Sequence, residues 1–167
     1  MINQNKINMN ISAIILAAGN SNRLSMGTPK QFIKINNREL IDYSIEKFKS
    51  IEEINEIIIV VPKFYYEKIK FSYPEYKIII GGENRQESSY KGLLACNEKT
   101  DKVLIHDAAR IFIKVSLIKN CIKELEKSDA VTLGIPVTDT IAKCSDNQII
   151  TMDNRANLIS IQTPQGF

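Results

Sequence analysis

Short, wholly apolar runs recur along the chain, separated by stretches in which apolar residues return every three or four positions. Ile11–Leu16 is the first run and reads as a parallel strand buried on both faces. Residues 39–48 carry apolar side chains at 40, 41, 45 and 48, which predicts a helix. A second strand is expected over 56–61, apolar from Ile57 and closed by Pro62. A short helix over 64–71 follows, then a third strand at Lys77–Ile80, stopped by Gly81-Gly82. The pattern continues with a helix over 86–96, a strand over 103–105, a helix over 117–125 and a fifth strand over 130–135, ended by Pro136. Strands alternating with helices predict an α/β fold with a mainly parallel sheet.

From Val137 the pattern changes. Residues 138–143, a polar turn at Ser145-Asp146-Asn147, and residues 148–152 read as a β-hairpin. Residues 157–162 predict one more strand. A hairpin outside a parallel sheet needs cover for its edges. Two arrangements supply it: packing on its own domain, or an arm that pairs with a second subunit.

Composition narrows the class. The 167 residues fit one domain, and 44% hydrophobic with 25% charged residues is ordinary for a soluble globular protein. A net charge of +3, with lysine spread along the chain, does not point to nucleic acid. Cys96, Cys121 and Cys144 are odd in number and widely spaced, which argues against a disulfide framework or zinc site and fits a reducing cytoplasm. Met1 to Asn10 is polar and reads as a disordered lead-in, not a signal peptide. No apolar run approaches membrane-spanning length.

Ligands of parallel sheets collect at the carboxyl ends of the strands, and three polar clusters fall there. The first is Ala17-Ala18-Gly19, with Arg23 and Lys30 beyond it. Small residues let backbone N–H groups approach a polyphosphate, and the cations would neutralise it. It is neither a Walker loop nor a dinucleotide fingerprint, and a solvated Lys30 is the plainer alternative. The second cluster, Gly81 to Ser88, opens a helix whose N–H groups favour anions, or is simply a capped turn. The third is His106-Asp107-Ala108-Ala109-Arg110. Asp107 suits a magnesium ion, a helix cap, or an ion pair with Arg110. His106 is the one histidine. No Gly-x-Ser-x-Gly elbow accompanies it, so a structural role is expected and not that of a general base.

Together these clusters resemble the 2-C-methyl-D-erythritol 4-phosphate cytidylyltransferase family. The matching residues are Leu16-Ala17-Ala18-Gly19 with Arg23, Pro29-Lys30-Gln31, Gly81-Gly82 with Arg85 and Ser88, Gly92-Leu93, and His106 to Arg110. Pro136, Asp139-Thr140, Lys143, Arg155, Leu158 and Gln162-Thr163-Pro164-Gln165 extend the match to Phe167. Ribitol-5-phosphate cytidylyltransferase is similar throughout and is the alternative within the enzyme class.

The resemblance implies a Rossmann-like nucleotidyltransferase fold with a β-hairpin dimerisation arm. It divides the chain into a nucleotide-binding domain over 11–136, the arm over 137–160 and a return to the core over 161–167. The implied reaction joins CTP to a sugar-alcohol phosphate and releases pyrophosphate, with Mg²⁺ bridging phosphates. Arg23, Lys30 and Arg155 would be catalytic. Ala17, Ala18, Gly19, Gly82, Glu83 and Ser88 would bind the nucleotide, and Asp107, Arg110, Thr140 and Thr163 the acceptor, with Asp107 also on the metal. Thr140 and Arg155 would reach the acceptor phosphate of the second subunit. Glu83, Glu87, Ser89, Ile111 and Ile159 depart from the family's usual residues. The family pattern continues past Phe167 to a phosphate-binding lysine. A short form lacking it is expected to be weak or inactive, and a non-catalytic nucleotide-binding dimer is the alternative outside the enzyme class.

Overall fold

The computed structural model describes residues 9–19 and 28–167. The lead-in expected over residues 1–8 and the candidate Arg23 therefore lie outside the described residues. Strand β1 (Ile11–Leu16) is as expected. Its side chains alternate, with Ile11, Ala13 and Ile15 on one face and Ile14 on the other. Both faces are covered, which is why the run is apolar throughout.

A 3-10 turn at Lys30–Phe32 leads into a small hairpin, β2 (Lys34–Ile35) and β3 (Arg38–Glu39). Its two central residues, Asn36 and Asn37, hold φ of 51° and 62°. Asparagine tolerates that left-handed region, and the pair forms the tight turn that matches strand twist. Helix α1 (Leu40–Lys49) buries Ile41, Ser44, Ile45 and Phe48, one stripe at helical spacing. It begins one residue later than the sequence predicts. The Glu39 N–H donates to Asp42 Oδ2 at 2.8 Å, so Glu39 stands before the helix as its cap.

Strand β4 (Ile54–Val61) precedes a 3-10 turn and the short helix α2 (Tyr66–Ser72). Strand β5 (Lys77–Ile80), helix α3 (Arg85–Leu94), strand β6 (Lys102–Asp107) and helix α4 (Val115–Leu125) follow. Gly92 lets α3 lie close on β1: a Cβ there would stand 2.6 Å from Ile14 Cγ2. The chain then forms β7 (Val131–Pro136), the hairpin β8 (Ile141–Ser145) and β9 (Gln148–Asp153), and β10 (Ile159–Gly166).

The central sheet has the order β5-β4-β1-β6-β10-β7. Its first four strands are parallel, while β10 runs antiparallel to both β6 and β7. The fifth strand of the sequence reading is thus an edge strand, separated from β6 by the last strand of the chain. Helices α1, α2 and α4 cover one face and α3 the other, giving a large core around Phe48, Ile59 and Leu104 and a smaller one around Ile14, Val60 and Ile105. Each isoleucine so buried contributes about 1.5–3 kcal/mol. The hairpin β8–β9 is a separate ribbon turning at Asp146 and Asn147, at φ of 50° and 62°. Among the described residues no helix is long and apolar enough to cross a membrane.

Candidate active site

The carboxyl ends of the parallel strands bring three of the predicted clusters together. The loop Ala17–Gly19 leaves β1, where Leu16 pairs with Asp107 at the end of β6. Gly81 follows β5 and touches the first loop so closely that a Cβ would lie 2.4 Å from Ala18 Cβ. The Ala108 N–H donates to the Leu16 carbonyl at 2.9 Å, joining the third cluster to the first.

In the second cluster, Asn84 caps α3 by accepting the Glu87 N–H at 2.9 Å. The Gly82 N–H donates to the buried Ser88 Oγ at 3.0 Å, and the Glu83 N–H to Glu87 Oε2 at 2.8 Å. Lys91 lies 2.9 Å from Glu87 and donates to the Gly81 carbonyl at 3.2 Å. Gly82, Glu83 and Ser88 therefore form one braced junction between β5 and α3. Hydrogen bonding from Glu83 and then Lys91 holds the Glu87 carboxyl below its ordinary range.

Asp107 is the centre of the third cluster. Arg85 Nε donates to Oδ1 and Arg110 Nε to Oδ2, each at 3.0 Å. The outer ends of the two guanidiniums reach β10: Arg85 donates to Gln165 Oε1 at 2.9 Å, and Arg110 to Gln162 Oε1. Burial raises the Asp107 carboxyl, but the bonds from Arg110 and Arg85 outweigh it and hold the group below the ordinary carboxylate range. From behind, Ser44 of α1 donates to the Ala108 carbonyl at 2.8 Å and Lys47 to the Ile111 carbonyl. The result is two cations fixed side by side on one carboxylate, a geometry suited to a phosphate.

Thr163 lies under this cluster. Its Oγ1 accepts the Asp107 N–H at 3.2 Å and shares a hydrogen bond of 3.0 Å with His106 Nδ1. His106 is 0% exposed, with its ring 4.9 Å from that of Phe48 and its Nε2 without a partner among the described residues. Burial pushes its pKa down to about 4, against the nearby Asp107 charge, which raises it. A neutral histidine in this place is structural, as the sequence reading expects.

Lys30 is exposed on the turn that follows the undescribed residues. Beside it stands Gln31, a residue the sequence reading did not place in the site. Gln31 is 3% exposed and donates from Nε2 to the Ala17 carbonyl and, at 3.0 Å, to the Gly19 carbonyl. Its only sequence signal was its place after Pro29-Lys30. Arg85, Gln162 and Gln165 belong to the family motifs, and only the fold brings them to the site.

Thr140 and Arg155 lie elsewhere, on the segment between β7 and β10. Arg155 donates to the Thr138 carbonyl at 2.9 Å. Among the described residues neither is bonded to Asp107, Arg110 or Thr163. No group of three or more histidine, cysteine or acidic residues that could hold a metal occurs among the described residues. Asp107 offers one carboxylate with an arginine on each oxygen, which is not a metal cage made by protein alone.

The profile of the 2-C-methyl-D-erythritol 4-phosphate cytidylyltransferase (IspD) family matches residues 11–167. Two relatives described by that name are similar to the chain. That of Clostridioides difficile (strain 630) is 39% identical over 162 residues, 93% of this chain and 68% of the relative. That of Dictyoglomus thermophilum is 43% identical over 167 residues, covering 94% and 71%. The crystal structure of 4-diphosphocytidyl-2C-methyl-D-erythritol synthase from Anaerococcus prevotii superposes with a TM-score of 0.83 at 30% identity, covering 96% of this chain and 71% of that one. A match of this length, carried through the same strand-end loops that hold the paired arginines, leaves one conclusion: the chain belongs to the 2-C-methyl-D-erythritol 4-phosphate cytidylyltransferase family.

Proposed function

We propose that the chain transfers the cytidylyl group of CTP to 2-C-methyl-D-erythritol 4-phosphate and releases pyrophosphate, a step of non-mevalonate isoprenoid biosynthesis in the cytoplasm. The observation that carries the reading is the pair of guanidiniums on Asp107, set beside a loop of small residues in a member of this family. An oxygen of the acceptor phosphate attacks the α-phosphorus of CTP. The new P–O bond forms as the bond to the bridging oxygen breaks, and pyrophosphate leaves with that electron pair. No nucleophilic side chain is required; positioning and positive charge stabilise the transition state. Lys30, with Arg23, is assigned to the charge that spreads over the α-phosphate oxygens. Arg110, held by Asp107 and Gln162, is assigned to the acceptor phosphate. Ala17, Ala18 and Gly19 cradle the triphosphate, and the Gly82–Ser88 junction receives the cytidine. Magnesium would bridge the phosphates of CTP, with Asp107 as its protein carboxylate, since Mg²⁺ takes one or two carboxylates and substrate phosphates rather than a protein cage.

The arm is assigned to a second copy of the chain. A two-stranded ribbon is marginal in water by itself. This one exposes Ile141, Ile149, Ile150 and Met152, with Ile150 67% exposed. Pairing through a two-fold axis would cover them and bring Thr140 and Arg155 to the acceptor site of the other subunit. The function is tested by pyrophosphate release with methylerythritol phosphate and each nucleoside triphosphate in turn. Release with CTP and not with ATP, GTP or UTP is the expected result. Release that depends on no nucleotide in particular would remove the reading.

A further inference from the structure

The amide of Gln31 is buried, yet it serves no strand, cap or core. Among the described residues its bonds go to carbonyls of the loop that leaves β1, those of Ala17 and Gly19. In a trans peptide the N–H points opposite to the C=O. Holding the Ala17 carbonyl against Gln31 therefore points the Ala18 N–H to the side opposite Gln31. At the next residue, a Cβ on Gly19 would meet nothing within 4 Å among the described residues. The turn that carries Gln31 is itself fixed: the Phe32 ring stacks on Tyr65 at 4.4 Å, and Lys68 Nζ lies 5.9 Å from the Phe32 ring centre. Lys68 is in turn paired with Glu39 at 2.5 Å, next to the start of α1. Lys30 is the neighbouring residue on the same turn.

We propose that Gln31 is a positioning residue, whose buried amide clamps the Ala17–Gly19 loop and holds its N–H groups and the Lys30 turn in one fixed relation for a nucleoside triphosphate. This inference rests on the CTP reading above. The clamp requires a donor, because both of its partners are acceptors. A glutamate of the same length supplies none at neutral pH, and a methionine fills the space without bonding. The clamp acts on phosphates and leaves the nucleoside to the Gly82–Ser88 junction.

The test is calorimetric titration of the 167-residue chain with CTP and, separately, with cytidine. Gln31→Met and Gln31→Glu are compared with Ile118→Val, a change in the core of α4 that controls for general loosening. Each Gln31 variant is expected to weaken CTP binding about tenfold, the scale of one hydrogen bond from a loop N–H to a charged phosphate oxygen, lost when the clamp is gone. Cytidine binding should be unchanged in the same variants, and Ile118→Val should leave the ratio of the two affinities as it was. Equal CTP affinity in the Gln31 variants would overturn the proposal. So would an equal loss for CTP and cytidine, or a matching loss in Ile118→Val. An unaltered chain that binds neither ligand would overturn the CTP reading itself, and this inference with it.

Discussion

Thr163 Oγ1 stands 3.0 Å from His106 Nδ1, so that β10 is bonded to β6 directly behind the paired arginines. The histidine is wholly buried and its pKa is pushed down to about 4, mainly by that burial. In the unfolded chain it titrates near 6.5. As pH falls from that value toward 4, the unfolded chain gains a proton that the folded chain does not accept. Stability should therefore drop over this interval, by about 3 kcal/mol for such a shift, and the effect should level off below it. Denaturant midpoints at pH 7 and 4.5 check this. His106→Asn should show a smaller drop than the unaltered chain; an identical drop would mean that the histidine is not the source.

Asp107 has the opposite sign. Its folded pKa is depressed, so its contribution is present above the ordinary carboxylate value and is lost as pH falls through the lower, folded one. Asp107→Asn should therefore be less stable than the unaltered chain at pH 7, with the gap closing in strong acid. Catalysis should suffer more, by about a hundredfold in kcat/KM, because Arg85 and Arg110 lose their common anchor. Steady-state kinetics on the folded variant decide it. Unchanged kcat/KM would mean that the pairing is not part of the site.

Lys30 is assigned to the transition state more than to CTP itself. Lys30→Ala should lower kcat by at least about a hundredfold while CTP affinity, read by calorimetry, falls much less. Lys30→Arg should not restore the rate fully, since a planar fork replaces a point charge. A parallel loss of rate and affinity would reduce Lys30 to ground-state phosphate binding.

The arm predicts a shared site. Arg155→Ala and Lys30→Ala chains, each inactive alone, should regain part of the activity when mixed, because one hybrid site then holds both residues. The chain should sediment as a dimer. A monomer at working concentration, or exchange of chains without recovery, would contradict the arrangement.

What the sequence disclosed depended on how local the cause was. The apolar run at β1 announced a strand buried on both faces, and it is one. Asp146-Asn147 announced a tight turn, because few other residues hold a positive φ so readily. Asn36-Asn37 carried the same signal, but two-residue strands on either side left little pattern to frame it. The antiparallel entry of β10 between β6 and β7 depends on a pairing some 60 residues distant, which alternation of apolar residues does not encode. The site divides in the same way. Arg110 beside Asp107 is three residues away and legible as an ion pair, whereas Arg85 meets that carboxylate from 22 residues away. Gln31, Gln162 and Gln165 are neutral amides whose roles exist only once folding presents them with a carbonyl or a guanidinium.

The central claim is cytidylyl transfer to methylerythritol phosphate. It is tested most directly by incubating the chain with CTP and either 2-C-methyl-D-erythritol 4-phosphate or ribitol 5-phosphate, and identifying the products by mass spectrometry. The cytidine diphosphate ester of methylerythritol should accumulate above an enzyme-free blank, with little or no ribitol product. Preferential formation of the ribitol ester would contradict the account, and so would neither ester while CTP remains bound, a result that favours the non-catalytic nucleotide-binding dimer instead.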